Sequence, residues 1–161
     1  MGIRLIATGG TFDKRYDSIA GRLEFDRTHL AEIAARVRLS GPVAIQPLMQ
    51  IDSLDMTDAH RLQVTEACRT APEARIVIVH GTDTMVETAT VLAAAALGKT
   101  VVLTGAMVPY DVRGSDALFN LGFAIGVCRL LDPGVWLAMQ GQVYPWDKVR
   151  KNRAQGVFEA T

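Results

Sequence analysis

Arg75-Ile-Val-Ile-Val79, followed at once by His80-Gly-Thr-Asp-Thr84, decides the fold of this chain. A short apolar run bounded by a turn reads as a buried strand. Thr84 and Glu87 have the spacing of a capping box, so a helix is expected to open directly behind it. Thr82 and Asp83 are then held in a tight turn between strand and helix. The unpaired N–H groups of a helix start would point at whatever oxygen binds there.

The same grammar recurs outward from this stretch. Ile3 to Thr8 is apolar and stopped by Gly9-Gly10; Val43 to Leu48 follows Gly41-Pro42; Thr100 to Leu103 and Val135 to Met139 complete the strand candidates. Helical spacing appears from Thr28 to Val37, from a Thr57 cap to about Thr70, from Met85 to Leu97 with Gly98 as the cap, and from Asp116 to about Leu131 behind Ser115. The last of these is apolar nearly all round, which predicts burial under a sheet or in a subunit interface. Strand and helix alternate about four times. The expected fold is therefore α/β: an open, mostly parallel sheet with helices on both faces, three-layer and Rossmann-like or flavodoxin-like, in one domain over 1–161. In that architecture ligands sit at the carboxyl ends of the strands, where Thr11, Ser53, Thr82-Asp83 and Ala106 all fall.

Composition narrows the function classes. The chain has 161 residues, 49% of them hydrophobic, and 17 basic residues against 17 acidic ones. That balance argues against nucleic acid and against a charged membrane surface as partners. No leader or long apolar span is visible, so a cytoplasmic location is expected. Cys68 and Cys128 lie in apolar helical patterns and read as buried thiols. The three histidines show no metal-ligand spacing, and Gly9-Gly10 lacks the full dinucleotide or phosphate-loop fingerprint, so no metal and no cofactor are expected. His29 and His60 read as surface residues, and His80, at the end of a buried strand, as a hydrogen-bonded structural histidine rather than a base.

Three further segments hold candidate chemistry. Thr8-Gly9-Gly10-Thr11 is either a plain turn or a close backbone approach that presents the Thr11 hydroxyl as a nucleophile, which would need a base. The polar, irregular segment 12–26 is long for a connection and reads as a mobile lid. In the tail 141–161, the cluster Lys148, Arg150, Lys151 and Arg153 is either a solvated face or the source of one inward-turned lysine acting as general base. Asp52, Ser53 and Asp55 likewise read either as a helix entrance or as a ligand contact.

Taken together, Thr8-Gly-Gly-Thr-Phe12, Asp52-Ser-Leu-Asp-Met-Thr57, His80-Gly-Thr-Asp-Thr-Met85 and Thr104-Gly-Ala-Met107 resemble the bacterial L-asparaginase/glutaminase family, and the likeness continues through Ser115-Asp116 and Asn120-Leu121. The resemblance implies that Thr11 is the nucleophile and Thr82 the second catalytic threonine. It implies that Asp83 binds the substrate α-amino group and that Lys151 completes a Thr–Lys–Asp group. It makes Tyr16 the lid tyrosine, Ser53 the holder of the α-carboxylate, and the Ala106 carbonyl a contact to the side-chain amide. Gly10 and Leu54 line the same substrate site, Leu54 where the family has a polar residue, so that one hydrogen bond is missing. The second domain of the long-chain enzymes, which lends an acidic residue to a neighbouring subunit, has no counterpart in this sequence.

The leading expectation is hydrolysis of L-asparagine to L-aspartate and ammonia by a homo-oligomer, a dimer or a dimer of dimers, with a small molecule as its substrate. Glutamine or another small amide is the alternative within the same chemistry. A non-catalytic amino-acid sensor or subunit is the alternative outside it.

Overall fold

A computed structural model, describing residues 2–161, contains a six-stranded sheet, four helices and two small hairpins. The strands of the main sheet are β1 (Ile3–Gly9), β4 (Val43–Ile51), β5 (Arg75–Val79), β6 (Thr100–Thr104), β7 (Gly134–Met139) and β8 (Gln142–Pro145), in the order β4-β1-β5-β6-β7-β8. The first five are parallel, and β8 pairs antiparallel with β7. The chain leaves β1 for β4 on one side and then returns to β5 on the other. The point between β1 and β5 is thus the topological switch, where open α/β sheets form their ligand crevice.

Alternation along the strands divides the core between two faces. Ile76 and Ile78 point with Ile6, Val101, Leu103 and Leu137 toward α2 (Asp58–Thr70) and α3 (Met85–Ala94). Val77 and Val79 point with Leu5, Ala7 and Val102 toward α1 (Leu30–Arg36) and α4 (Ala117–Cys128). Each such aliphatic side chain removed from water contributes about 1.5–3 kcal/mol before entropy is counted. Cys68 and Cys128 are free and buried, as their apolar settings predict, and burial pushes their thiols up to about 12 and about 11.

The structure departs from the sequence reading in local detail. The segment read as irregular folds back as a hairpin of β2 (Arg15–Asp17) and β3 (Arg22–Glu24). Thr84 makes no capping bond, because its hydroxyl donates instead to the Ser53 carbonyl at 2.8 Å. Helix α3 ends at Ala94, before the expected Leu97, and the positive φ falls on Ala96 as well as Gly98. His29 is wholly buried, not a surface residue: Arg15 Nη2 donates to its Nδ1 at 2.9 Å and the Tyr110 ring lies 4.8 Å away. His60 closes a capping box with Thr57 at the start of α2. The tail forms β8 and a second hairpin, β9 (Val149–Asn152) with β10 (Val157–Ala160).

Candidate active site

The site begins where β1 and β5 end side by side. Gly10 has φ 73°, a left-handed conformation that suits glycine, and a Cβ on it would stand 2.5 Å from the backbone of Gly81. A Cβ on Gly81 would in turn meet Cβ and Oγ of Ser53 at 2.6 Å. These absent side chains let the turns after β1, β4 and β5 touch, bringing Thr11, Ser53 and Thr82 to one crevice. Gly10 N–H donates to the Ile51 carbonyl at 3.0 Å, Thr8 Oγ1 to the Val79 carbonyl at 2.8 Å and His80 N–H to the Thr104 carbonyl at 2.8 Å, so all four strand ends are cross-linked.

His80 locks the middle of this arrangement. Its ring is fully buried, with Nδ1 2.7 Å from the Gly81 carbonyl and Nε2 2.8 Å from Thr88 Oγ1. A carbonyl only accepts, so Nδ1 carries the proton and Thr88 donates to Nε2. Desolvation, aided by the charge of Arg61 and opposed by the Gly81 hydrogen bond, holds the ring down to about 4. It is the structural histidine anticipated from its place on the strand.

Lys151 arrives from the opposite end of the chain. Its Nζ donates to Thr82 Oγ1 at 2.8 Å and to Asp83 Oδ1 at 2.7 Å, and all three side chains are largely screened from solvent. Of the four basic residues in the cluster, Lys151 is the one turned inward. Arg150 pairs outward with Glu159 at 2.7 Å, and Arg153 Nε reaches Asp83 Oδ1 at 3.8 Å. The hairpin that carries Lys151 is pinned through its partner strand. Phe158 and Val149 enter the core, Gln140 accepts from Phe158 N–H and donates to the Gly156 carbonyl, and Tyr144 Oη donates to the Phe158 carbonyl at 3.0 Å.

The fourth wall is the loop after β6. Asn120 Nδ2 donates to the Gly105 carbonyl at 3.0 Å, and the Asp116 carboxylate accepts from the N–H groups of Met107 and Val108. Ala106 is thereby fixed as a buried residue between two gripped neighbours. Asn120 also accepts from Gln140 N–H at 3.0 Å, which links this loop to the anchor of the Lys151 hairpin.

Not every candidate is brought in. Tyr16 lies on β2 with its side chain 64% exposed, and Leu54 is equally exposed beside Ser53. Thr11 is half-buried at the start of a 3-10 turn, Thr11–Asp13. Sequence reasoning missed the positioning roles of Asn120 and Gln140. The side-chain patterns of Asn120 and Gln140 carry no chemical signal, and Gln140 shows itself only through its positive φ of 55°. Among the described residues no group of three or more His, Cys, Asp and Glu is placed to hold a metal ion, and no helix is long and apolar enough to cross a membrane.

The strand ends of a parallel α/β sheet thus hold Thr82, Asp83 and Lys151 in mutual contact, with Thr11 on the neighbouring turn after β1. The chain belongs to the asparaginase family, whose N-terminal domain model matches residues 2–159. It is 32% identical over 167 residues to a probable periplasmic L-asparaginase of Haemophilus influenzae, covering 96% of this chain and 47% of that one. It is 31% identical over 147 residues to a subunit of the glutamyl-tRNA(Gln) amidotransferase of Pyrococcus abyssi, covering 87% of this chain and 34% of that one. The thermostable L-asparaginase of Thermococcus kodakarensis superimposes with a TM-score of 0.85 at 26% identity, over 99% of this chain and 51% of that structure. The chain thus spans about half or less of the length of these relatives.

Proposed function

We propose that this chain hydrolyses L-asparagine to L-aspartate and ammonia. The observation that carries the proposal is Lys151 Nζ, 2.8 Å from Thr82 Oγ1 and 2.7 Å from Asp83 Oδ1. Such a bridge ties a hydroxyl, an amine and a carboxylate into one proton path. Thr11 Oγ attacks the side-chain amide carbon, the C–N bond breaks, and the nitrogen leaves as ammonia after taking a proton. Water then cleaves the ester, returning the proton to Thr11 and releasing aspartate. Tyr16, after the hairpin closes, or Lys151 as a neutral amine acting through the Thr82 hydroxyl, takes the proton from the attacking hydroxyl and passes it to the departing nitrogen. The N–H groups of Gly81 and Thr82 face the developing oxyanion, where one such donor is worth about 3 kcal/mol. Asp83 holds the substrate ammonium, Ser53 its carboxylate, and the Ala106 carbonyl its amide, with Gly10 and Leu54 lining the space.

The active form we propose is a cytoplasmic homo-oligomer, a dimer or a dimer of dimers. It is formed through the apolar face of α4 on which Leu118 and Phe119 are exposed. Ammonia release from asparagine is measured for the wild type, Thr11→Ala and Lys151→Met. Wild-type release no faster than that of both variants refutes the proposal.

The similarity to an amidotransferase component favours a second reading, in which the same chemistry acts on glutamine or another amide within a larger assembly. Parallel kcat/KM values for asparagine and glutamine separate the two. A crevice built from short contacts leaves the extra methylene of glutamine unplaced, a penalty of about 1–3 kcal/mol.

A further inference from the structure

Lys14 ends the 3-10 turn that Thr11 begins, its backbone N–H donating to the Thr11 carbonyl at 3.2 Å. Its side chain crosses to the turn that carries Ser53. There Nζ donates to Asp52 Oδ2 at 2.7 Å, while Asp52 Oδ1 accepts from Leu54 N–H at 3.1 Å across Ser53. Lys14 therefore ties the turn of the candidate nucleophile to the turn of Ser53, its ammonium held by a carboxylate that also shapes the second turn. Phe25 covers one side, its ring centre 5.5 Å from Nζ. An ammonium carries three N–H donors. Among the described residues Asp52 is its one hydrogen-bond acceptor, and 22% of the side chain remains open to solvent.

Charge across the crevice sets what this leaves to be filled. Asp83 already faces Lys151 and Arg153. Asp52 is held below the usual carboxylate range, first by the hydrogen bond from Lys14, with the more distant charge of Lys151 acting in the same sense. The Thr11–Ser53 side thus offers a cation with unused donors, while Leu54 beside it offers no side-chain hydrogen bond and points to solvent.

We propose that Lys14 is a specificity-determining residue whose two unpaired N–H groups take the carboxylate of a free amino-acid amide, so that the site selects carboxylate-bearing ligands over those with that carboxylate blocked. The proposal rests on the amidohydrolase reading for its substrate class, and it adds a charged contact to the one expected from Ser53.

Calorimetric binding of L-aspartate and of its α-amide, isoasparagine, tests it on the wild type, Lys14→Met, Lys14→Arg and Asp52→Asn, each shown to be folded by its thermal melt. Lys14→Met should weaken aspartate about 10- to 100-fold, the span of a hydrogen bond to a charged group, and leave isoasparagine unchanged. Lys14→Arg should retain the preference for aspartate, and Asp52→Asn, which frees the ammonium, should bind aspartate at least as tightly as the wild type. Equal weakening of both ligands by Lys14→Met, no weakening of aspartate, or a loss in Asp52→Asn as large as that in Lys14→Met overturns the proposal, as does a wild type that binds no aspartate. Ammonia release is followed in parallel. Lys14-dependent aspartate binding without turnover of asparagine refutes the hydrolase reading alone, and turnover with binding indifferent to Lys14 refutes the role of Lys14 alone.

Discussion

Replacing His80 by glutamine should flatten the acid side of the stability profile. In the folded chain the imidazole is held neutral down to about 4, against 6.5 for the unperturbed ring, because protonation would bury an uncompensated charge near Arg61. Above about pH 6.5 both folded and unfolded chains carry a neutral ring, and its full contribution is present. As the pH falls below that value the unfolded chain takes up a proton that the folded chain refuses, so stability declines until the folded ring also titrates near pH 4. At about 1.4 kcal/mol per pH unit the interval is worth about 3 kcal/mol. That is a large part of the 5–15 kcal/mol typical of a whole domain. Urea unfolding at half-unit steps from pH 7.5 to 4 reads it directly. The wild type should lose about 3 kcal/mol more than His80→Gln over that range, although the variant starts lower through its lost bonds to Gly81 and Thr88. Parallel profiles for the two proteins would refute the neutral, doubly hydrogen-bonded ring.

Other substitutions probe the scaffold and the proposed chemistry. Gly81→Ala sets a methyl 2.6 Å from Ser53 Cβ and 3.0 Å from its backbone nitrogen, so the two turns must part; a destabilisation of about 1–3 kcal/mol is expected in thermal melts. Asn120→Leu leaves the Gly105 carbonyl and the Gln140 N–H without their partner, at a cost of about 2–3 kcal/mol in urea unfolding. Lys151→Met should lower kcat for asparagine about 10²- to 10⁴-fold, the range of a lost general base. Lys151→Arg should not restore it, since a guanidinium does not give up its proton.

The sheet was legible because its strands announce themselves twice, as apolar runs and as runs stopped by glycine or threonine turns. Ile76 to Val79 alternate between two cores, and a fully buried strand of this kind needs no partner to be recognised. The hairpins were not legible. Arg15–Asp17 pairs with Arg22–Glu24 through backbone atoms while its side chains are polar, so no hydrophobic period marks it. Lys151 could be assigned only by resemblance, since nothing in Val149-Arg-Lys-Asn152 shows that alternation turns Lys151 inward and Arg150 outward until Phe158 is seen in the core. His29 was misplaced for a related reason. Its cover is Arg15 and Tyr110, which lie far from it in sequence or across a turn, and local pattern carries no trace of either. Thr84 misled differently, because its hydroxyl satisfies the neighbouring Ser53 turn at the expense of its own helix.

The hairpin β9–β10 has a consequence for the order of synthesis. Every strand of the main sheet lies within the first 145 residues, and Thr82 and Asp83 stand in place within it before Lys151 has been made. On the ribosome, where chains order from the N-terminus as they emerge, Asp83 waits as an unpaired carboxylate at the mouth of α3. The contacts of Lys151 and Arg153 with Asp83 are then the last ionic contacts of the crevice to form. A nascent chain stalled after β8 would hold the sheet without the Lys151 bridge, which forms only when the hairpin carrying Phe158 docks.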